Sequence, residues 1–188
     1  MRYFKRIFLL VILSALSCLS VKAEMTIEEL FFDNSKPFHL KILDVIPKEG
    51  IIQIGDDGAE NTIIEFMDYF CGYCKKVHPE LLKIANERED TRVIFLQHPV
   101  LSESSRLLAN MVVSANMQEK GLEFHNALFG IEGNLNNAKL QKIIDDLEIN
   151  SAKLNIDMSK EEVKNIVDIS SFMASGSGAR GTPTFFIN

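Results

Sequence analysis

A strand–helix–strand pattern between residues 62 and 96 limits the folds that are open to this chain. Residues 62–67 form a near-continuous apolar run, which is typical of a strand buried on both faces of a sheet. Residues 92–96 form a second such run. Between them, apolar residues recur at helical spacing, at Val77, Leu81, Ile84 and Ala85. This order predicts a βαβ unit with two parallel strands, and therefore an α/β fold.

The stretch from residue 99 to residue 176 is mostly helical by its pattern. Ser102 is predicted to cap a first helix, and Ser159 with Glu162 forms the capping-box pattern of a last one. Two further helices are indicated between them by apolar residues at helical spacing, one carrying Leu122, Leu128 and Phe129 and one carrying Leu140, Ile143, Ile144 and Leu147. Thr184 to Ile187 then returns to strand character.

Residues 1–23 have the pattern of a cleaved signal peptide. Three basic residues precede an apolar stretch that ends near Leu19, and Val21-Lys22-Ala23 offers small residues for cleavage. The apolar stretch is shorter than the roughly 20 residues that a membrane span needs. An uncleaved N-terminal anchor is one alternative reading. A lipoprotein signal, in which Cys18 would carry the lipid, is another.

Residues 24–49 form a mixed segment before the first predicted strand. Thr26 could cap a short helix over residues 27–30, and two prolines interrupt the remainder of the segment. The segment could be an arm that packs on the domain or one that mediates self-association with a second subunit. The pattern leaves both readings open.

The charge balance excludes one class of partner. The chain has 20 basic and 26 acidic residues, of which residues 1–23 contain four basic and no acidic ones. Without them, 16 basic and 26 acidic residues remain, a net charge of −10. Such an acidic protein is not expected to bind nucleic acid.

Cys71 and Cys74 are the cysteines that remain after residue 23, and they lie at the predicted start of the helix. The helix N-terminus offers unpaired N–H groups and a positive dipole to the first sulfur. Both favour the thiolate, which is the form that attacks disulfides. Cys74, one turn further and more buried, could then resolve a mixed disulfide. The residues therefore predict a redox pair, since a zinc site lacks further ligands and so short a disulfide loop adds little stability.

The sequence around this pair resembles the DsbA-type periplasmic oxidoreductases of the thioredoxin superfamily. Residues 64–71 and the run Cys71-Gly72-Tyr73-Cys74-Lys75 are similar to their active-site segment, and residues 181–187 to their cis-proline loop and following strand. Residues 123–129 resemble part of their inserted helical domain. The resemblance implies a thioredoxin-like fold over residues 50–98 and 177–188, interrupted by an all-helical insertion at residues 99–176. A sheet that ended at residues 184–187 would leave a hydrophobic edge strand, which folded proteins normally avoid, so we also expect a C-terminal strand and helix beyond this chain.

The resemblance also implies roles for particular residues. Cys71 would be the nucleophile and Cys74 the resolving cysteine, with Glu65 beneath it as a proton shuttle. The bond before Pro183 would be cis, and Thr182 would offer backbone hydrogen bonds to a substrate chain. Gly72 and Tyr73 would tune the redox potential. Glu65 has an alternative reading, in which its carboxylate reaches solvent or pairs with Lys75.

The function predicted from these residues is disulfide bond formation in exported proteins, in the periplasm and without a metal or a bound cofactor. Reduced or misbridged exported proteins would be the substrates, and a membrane redox partner would reset the pair. Gly72-Tyr73 resembles the disulfide isomerases, so an isomerase or reductase is the alternative within the class. The alternative from another class is a non-catalytic, lipid-anchored binding protein that retains the fold.

Overall fold

The computed structural model describes residues 38–188. The predicted signal segment with Cys18, and the short helix expected after Thr26, lie outside the described residues. No helix of residues 38–188 is long and apolar enough to cross a membrane. The described part begins with helix α1 (Phe38–Val45) and a 3₁₀ turn (Lys48–Gly50).

Four strands and six further helices follow in the described chain. The strands are β1 (Ile52–Ile54), β2 (Asn61–Met67), β3 (Thr91–Gln97) and β4 (Thr184–Ile187). Helix α2 (Gly72–Glu87) connects β2 to β3. Between β3 and β4 lie α3 (Glu103–Asn116), α4 (Gly121–Gly130), α5 (Asn137–Asp146), α6 (Ser151–Asp157) and α7 (Glu161–Gly176). An α/β fold with a helical stretch before its last described strand is therefore confirmed.

The strands form one sheet in the order β1-β3-β2-β4. Strands β2 and β3 are parallel, with Ile63 opposite Val93, as the βαβ pattern predicts. Strands β1 and β4 are antiparallel to their neighbours β3 and β2. Residues 62–67 of β2 are all buried, because this strand lies inside the sheet and has neighbours on both sides. The end of β2 therefore leads from the middle of the protein to the start of α2.

The turn after β1 depends on Gly55, whose φ of +99° is a conformation that other residues rarely adopt. A Cβ at this position would also lie 2.8 Å from the Arg92 Cα and 2.8 Å from the Thr91 carbonyl oxygen. Both constraints favour glycine, which lets the turn pass close to the start of β3.

A continuous apolar core joins the sheet to the helical stretch. Phe95 of β3 and Leu81 of α2 belong to the same buried cluster as Val112 of α3 and Phe124 of α4. A smaller cluster joins α3 to α7 through Val113 and Val167, among others. Burying each of these large side chains contributes roughly 1.5–3 kcal/mol. The helices are therefore fixed against the sheet that carries the cysteines.

The helix caps confirm one prediction and correct another. Ser102 precedes α3, and its Oγ accepts a hydrogen bond from the Ser105 N–H at 3.1 Å. The capping box at Ser159 is wrong, because Lys160 precedes α7 and makes no side-chain cap. Ser159 Oγ instead donates to the Ile156 carbonyl at 2.7 Å. The hydroxyl is occupied by the end of α6, a short helix that the sequence pattern did not predict.

The described part of the segment predicted as an arm packs on the domain. Ile42 and Ile46 are buried, and the 3₁₀ turn contacts α3 and α7. Asn116 of α3 donates its side-chain amide to the carbonyls of Glu49 and Ile51, at 3.0 and 3.1 Å. Residues 42–51 are thus held against the helical stretch.

Candidate active site

Cys71 lies where β2 has ended and α2 begins. Its backbone is extended, and its Sγ caps α2 by accepting the Cys74 N–H at 3.4 Å. A turn fixes its position, since the Cys71 N–H donates to the Asp68 carbonyl at 3.0 Å. The side chain of Cys71 is 6% exposed and that of Cys74 0%, and both are free thiols in this structure. The two sulfurs are therefore on one helical turn, with the first nearer the surface.

The surroundings of Cys71 favour its thiolate. Burial raises the pKa of the Cys71 thiol, but hydrogen bonding with the Thr182 side chain and with the backbone of Cys74 and Tyr73 lowers it. The opposing effects leave the pKa below the ordinary value of 9.0. N–H groups at the helix start stabilise negative charge without bringing in a cation. Cys71 therefore ionises more readily than an ordinary cysteine.

Thr182 and Pro183 lie beside the Cys71 sulfur, although they are distant from it in sequence. The Thr182–Pro183 peptide bond is cis, as the resemblance implies. The Cys71 Sγ–H donates to the Thr182 carbonyl oxygen at 3.2 Å, across 111 residues of sequence. The loop that contains Thr182 and Pro183, just before β4, therefore lies next to Cys71.

Glu65 is completely buried in β2, with 0% exposure. Neither carboxylate oxygen has a hydrogen-bond partner among the described residues. Burial raises the pKa of Glu65 from 4.5 to about 8, and an interaction with the Cys74 thiol lowers it by a smaller amount. The alternative reading is wrong, because the carboxylate does not reach solvent and Lys75 instead donates to the Ile131 carbonyl.

The pKa of Cys74 is shifted in the opposite direction to that of Cys71. Burial raises the pKa of the Cys74 thiol strongly, and the charges of Glu65 and Cys71 raise it further, while a backbone hydrogen bond with Asp68 lowers it. Cys74 packs with Met67 and Phe129 in a small apolar cluster that also contains Cys71. At neutral pH this sulfur stays protonated whenever it is reduced.

Gly72 and Tyr73 occupy the exposed first positions of α2. The Tyr73 side chain is 76% exposed, and a Cβ added at Gly72 would meet no described atom within 4 Å. The contact of Tyr73 with the active sulfur is made by its backbone, which lowers the pKa of Cys71. The Tyr73 ring itself is exposed to solvent beside Cys71.

Asp68 organises the loops around Cys71, and the sequence pattern did not single it out. Its side chain is buried and accepts three backbone N–H groups, from Phe70 at 2.8 Å and from Val100 and Leu101 at 3.0 Å each. These bonds hold the loop after β3 against the loop before α2. A lone aspartate after a strand carries no sequence signal for this role, because its partners are 32 and 33 residues away.

A buried polar network lies behind the cysteines, around His125 of α4. Its Nδ1 lies 2.8 Å from the Tyr69 hydroxyl, and its ring packs against Phe95 at a centroid distance of 4.3 Å. Burial, with a smaller effect of the nearby His78, holds the pKa of His125 well below its usual range. His78 of α2 in turn lies 3.1 Å from the Asn126 side chain, measured from Nε2 to Oδ1. His125 is thus a packed, hydrogen-bonded histidine.

No group of three or more His, Cys, Asp or Glu side chains within residues 38–188 is arranged to hold a metal ion. His98, which precedes Pro99 at the end of β3, is also held by a neighbour, the Ser171 hydroxyl, at 2.9 Å from its Nδ1. The described residues bring together two thiols, one carboxyl group and the cis-proline loop. This arrangement can exchange thiols with disulfides and move a proton beneath them.

The sequence and the fold of this chain are similar to those of known thioredoxin-like proteins. The family model described as thioredoxin matches residues 48–188. A solved thioredoxin-like oxidoreductase from Silicibacter pomeroyi is 28% identical, with a TM-score of 0.69 over 74% of this chain and 80% of that one. The thiol-disulfide exchange protein α-DsbA2 from Wolbachia pipientis shares the fold, at 21% identity and a TM-score of 0.69 over 79% and 82% of the two chains.

Curated relatives are much longer proteins. The Na⁺/H⁺ antiporter NhaA of Nitrosospira multiformis is 28% identical over 138 residues, which are 72% of this chain and 22% of the antiporter. A second NhaA antiporter, from Salinispora arenicola, is 25% identical over 138 residues and is matched over 21% of its length. The chain thus spans about a fifth of the length of the curated relatives that it matches.

Proposed function

The chain belongs to the thioredoxin family and has the fold of the DsbA-type thiol–disulfide oxidoreductases, and from this premise we propose that it forms disulfide bonds in exported proteins through Cys71 and Cys74. The observation that carries the proposal is the contrast between the two sulfurs. Cys71 has a lowered pKa at the edge of the protein, and Cys74 has a raised pKa one turn deeper. Such a contrast defines which sulfur exchanges with a substrate and which one resolves.

The proposed reaction transfers two electrons from the substrate to the enzyme, and the two substrate thiols lose their protons to solvent when they ionise. A substrate thiolate attacks the Cys71 sulfur, the Cys71–Cys74 bond breaks, and Cys74 leaves as a thiolate. A second substrate thiolate then attacks the substrate sulfur of the mixed disulfide and releases Cys71 as a thiolate. The substrate has gained one disulfide, and the enzyme is left reduced, with Cys71 as a thiolate and Cys74 as the sulfur that takes up a proton.

Glu65 is the proposed proton donor to Cys74 in this sequence. The departing Cys74 thiolate is buried, and its raised pKa means that it takes up a proton. Glu65, with a pKa of about 8, holds a proton at neutral pH and interacts with that sulfur. Acid–base groups work best when their pKa lies near the working pH. Regenerating the disulfide would return the proton by the same group.

The cis-proline loop is the proposed binding surface for the substrate chain. The Thr182 carbonyl oxygen already lies within hydrogen-bond distance of the Cys71 sulfur. An extended substrate segment that reaches Cys71 would therefore run beside Thr182 and Pro183. Backbone hydrogen bonds of this kind bind many sequences, because they do not depend on the substrate side chains.

The signal-like pattern of residues 1–23 supports an exported, periplasmic location, where disulfides persist. Reduced or misbridged exported proteins are then the proposed substrates. A membrane redox partner would reoxidise the pair. The alternative direction, an isomerase or reductase, is favoured by the Gly72-Tyr73 dipeptide, and self-association through residues 25–49 would strengthen it.

Replacing each cysteine tests the proposed activity. Cys71→Ser should abolish disulfide transfer to a reduced model protein, because the Cys71–Cys74 disulfide cannot form. Cys74→Ser, mixed with a model protein that contains a disulfide, should instead accumulate mixed disulfides, because the Cys71 thiolate attacks that disulfide and the resolving sulfur is missing. Mass spectrometry of the trapped species distinguishes the two outcomes. Full exchange activity in Cys71→Ser would refute the proposal and favour a non-catalytic binding protein.

The equilibrium of the Cys71–Cys74 pair with glutathione tests the direction. A strongly oxidising pair, with a potential near −120 mV as in DsbA, would support disulfide formation. A pair near −270 mV, as in thioredoxin, would favour the reductase alternative.

A further inference from the structure

A groove of about 490 Å³ opens beside Cys71, between the start of α2 and the helical stretch. Cys71 and Gly72 form one end of it. Its lining among the described residues does not include Thr182 or Pro183. The nucleophile is therefore bordered by a second surface, separate from the loop that is proposed to bind the substrate backbone.

The walls of this groove combine apolar side chains with polar groups. Leu108, Leu128, Ile131 and Leu135 line it on the side of the helical stretch, and Phe70 lines it beside the cysteine. Lys75 is the only charged residue among the described residues of the lining. Its exposed ammonium group donates to the Ile131 carbonyl. Since an ammonium has three donors, two remain for a ligand.

A second ammonium group, that of Lys139, binds the loop formed by residues 131–135. Lys139 Nζ donates to the carbonyls of Glu132 and Asn134, at 2.6 and 3.0 Å. Residues 131–135 are thus flanked by two lysines, while the acidic side chain of the loop, Glu132, is exposed. The positive charge is local, because the whole chain has a net charge of −6.

We propose that this groove binds the side chains next to the reacting cysteine of a substrate, and that Lys75 makes the enzyme favour substrates with an apolar residue and a carboxylate there. The inference rests on the proposed function, since it needs Cys71 to react with polypeptides. Apolar walls remove the apolar side chain from water, and the lysine pairs with the carboxylate. An otherwise acidic protein would repel such a segment without this local cation.

Single-turnover kinetics test the selectivity without depending on the direction of the reaction. Peptides with one cysteine, activated as a neutral 2-thiopyridyl disulfide, are mixed with Cys74→Ser protein. The Cys71 thiolate attacks the peptide sulfur and the pyridine thiolate leaves, which is followed by absorbance. Three matched peptides carry leucine and either Asp, Asn or Lys on both sides of the cysteine.

The Asp peptide should react about three- to fivefold faster than the Lys peptide, as one exposed charge pair allows. Adding Lys75→Met should remove the preference, whereas Lys75→Arg should keep it. Lys76→Met is the matched control, because Lys76 is an exposed neighbour on the same helix outside the groove lining, and it should keep the preference too. High salt should weaken the preference of the Cys74→Ser protein for the Asp peptide over the Lys peptide.

Two failures of this experiment are distinguishable. Equal rates for the three peptides in the Cys74→Ser protein, or a preference that survives the addition of Lys75→Met, would overturn the role of the groove and leave the proposed function intact. A failure of all three peptides to form a mixed disulfide with Cys71 would overturn the proposed function itself.

Discussion

Replacing Glu65 by glutamine should stabilise the reduced protein at neutral pH and leave its stability unchanged at pH 4. Burial raises the pKa of Glu65 from 4.5 to about 8. Between these values the unfolded chain gives up a proton that the folded protein retains. The favourable contribution of the protonated carboxyl group is therefore fully present below pH 4.5, and it is lost as the pH rises toward about 8.

The size of the effect follows from the pKa. Each pH unit within this window lowers the free energy of unfolding by about 1.4 kcal/mol. At pH 7 the penalty from Glu65 is then about 3 kcal/mol. Glutamine has a similar shape and does not titrate. It would lie in the same site without hydrogen-bond partners, so the burial of a neutral polar group is common to both proteins.

Guanidinium denaturation with a thiol reductant, at pH 4 and at pH 7, measures this difference. Glu60→Gln is the matched control, because Glu60 is exposed just before the same strand, and it should change stability by less than about 0.5 kcal/mol at both pH values. A difference between Glu65→Gln and the parent protein that is the same at pH 4 and pH 7 would show that burial does not hold the carboxyl group protonated.

Two further perturbations test the surroundings of the site. Asp68→Ala should lower the free energy of unfolding by about 3 kcal/mol, since three N–H groups lose their acceptor at about 1 kcal/mol each, and an unchanged denaturation midpoint would contradict this. Burial lowers the pKa of His125, so the stability that its neutral ring provides is complete above pH 6.5 and is lost as the pH falls. The parent protein should therefore lose more stability than His125→Phe between pH 7 and pH 5; parallel losses in the two proteins would show that this ring is not the titrating group.

The sequence predicts well the parts of the molecule that depend on residues close together in the chain. The apolar run of β2 and the spacing within α2 are local signals, and so are the two cysteines at the helix start. Ser102 also acts locally, since its partner is three residues away. The capping box predicted at Ser159 was wrong although it is also a local pattern. The Ser159 hydroxyl donates instead to another local partner, the Ile156 carbonyl.

The parts that the sequence does not predict depend on contacts between distant segments. Asp68 works by binding a loop more than 30 residues later, at Val100 and Leu101. The groove beside Cys71 needs Lys75 to meet the Ile131 carbonyl, 56 residues away. Nothing in the spacing of polar residues around these positions distinguishes them from an ordinary solvated surface. Only the packing of α2 against the helical stretch brings them together.

The histidine network explains how that packing keeps the nucleophile and the groove in register. His78 belongs to the helix that starts at Cys71, and its partner Asn126 belongs to α4, 48 residues later. Tyr69, which lines the groove just before Cys71, is bound to His125 of the same α4. The helix that presents the sulfur and the segment that precedes it are therefore both tied to one neighbouring helix. Since α4 also supplies Leu128 to the groove wall, this one helix contacts the wall, the helix that carries the sulfur and the segment that precedes it.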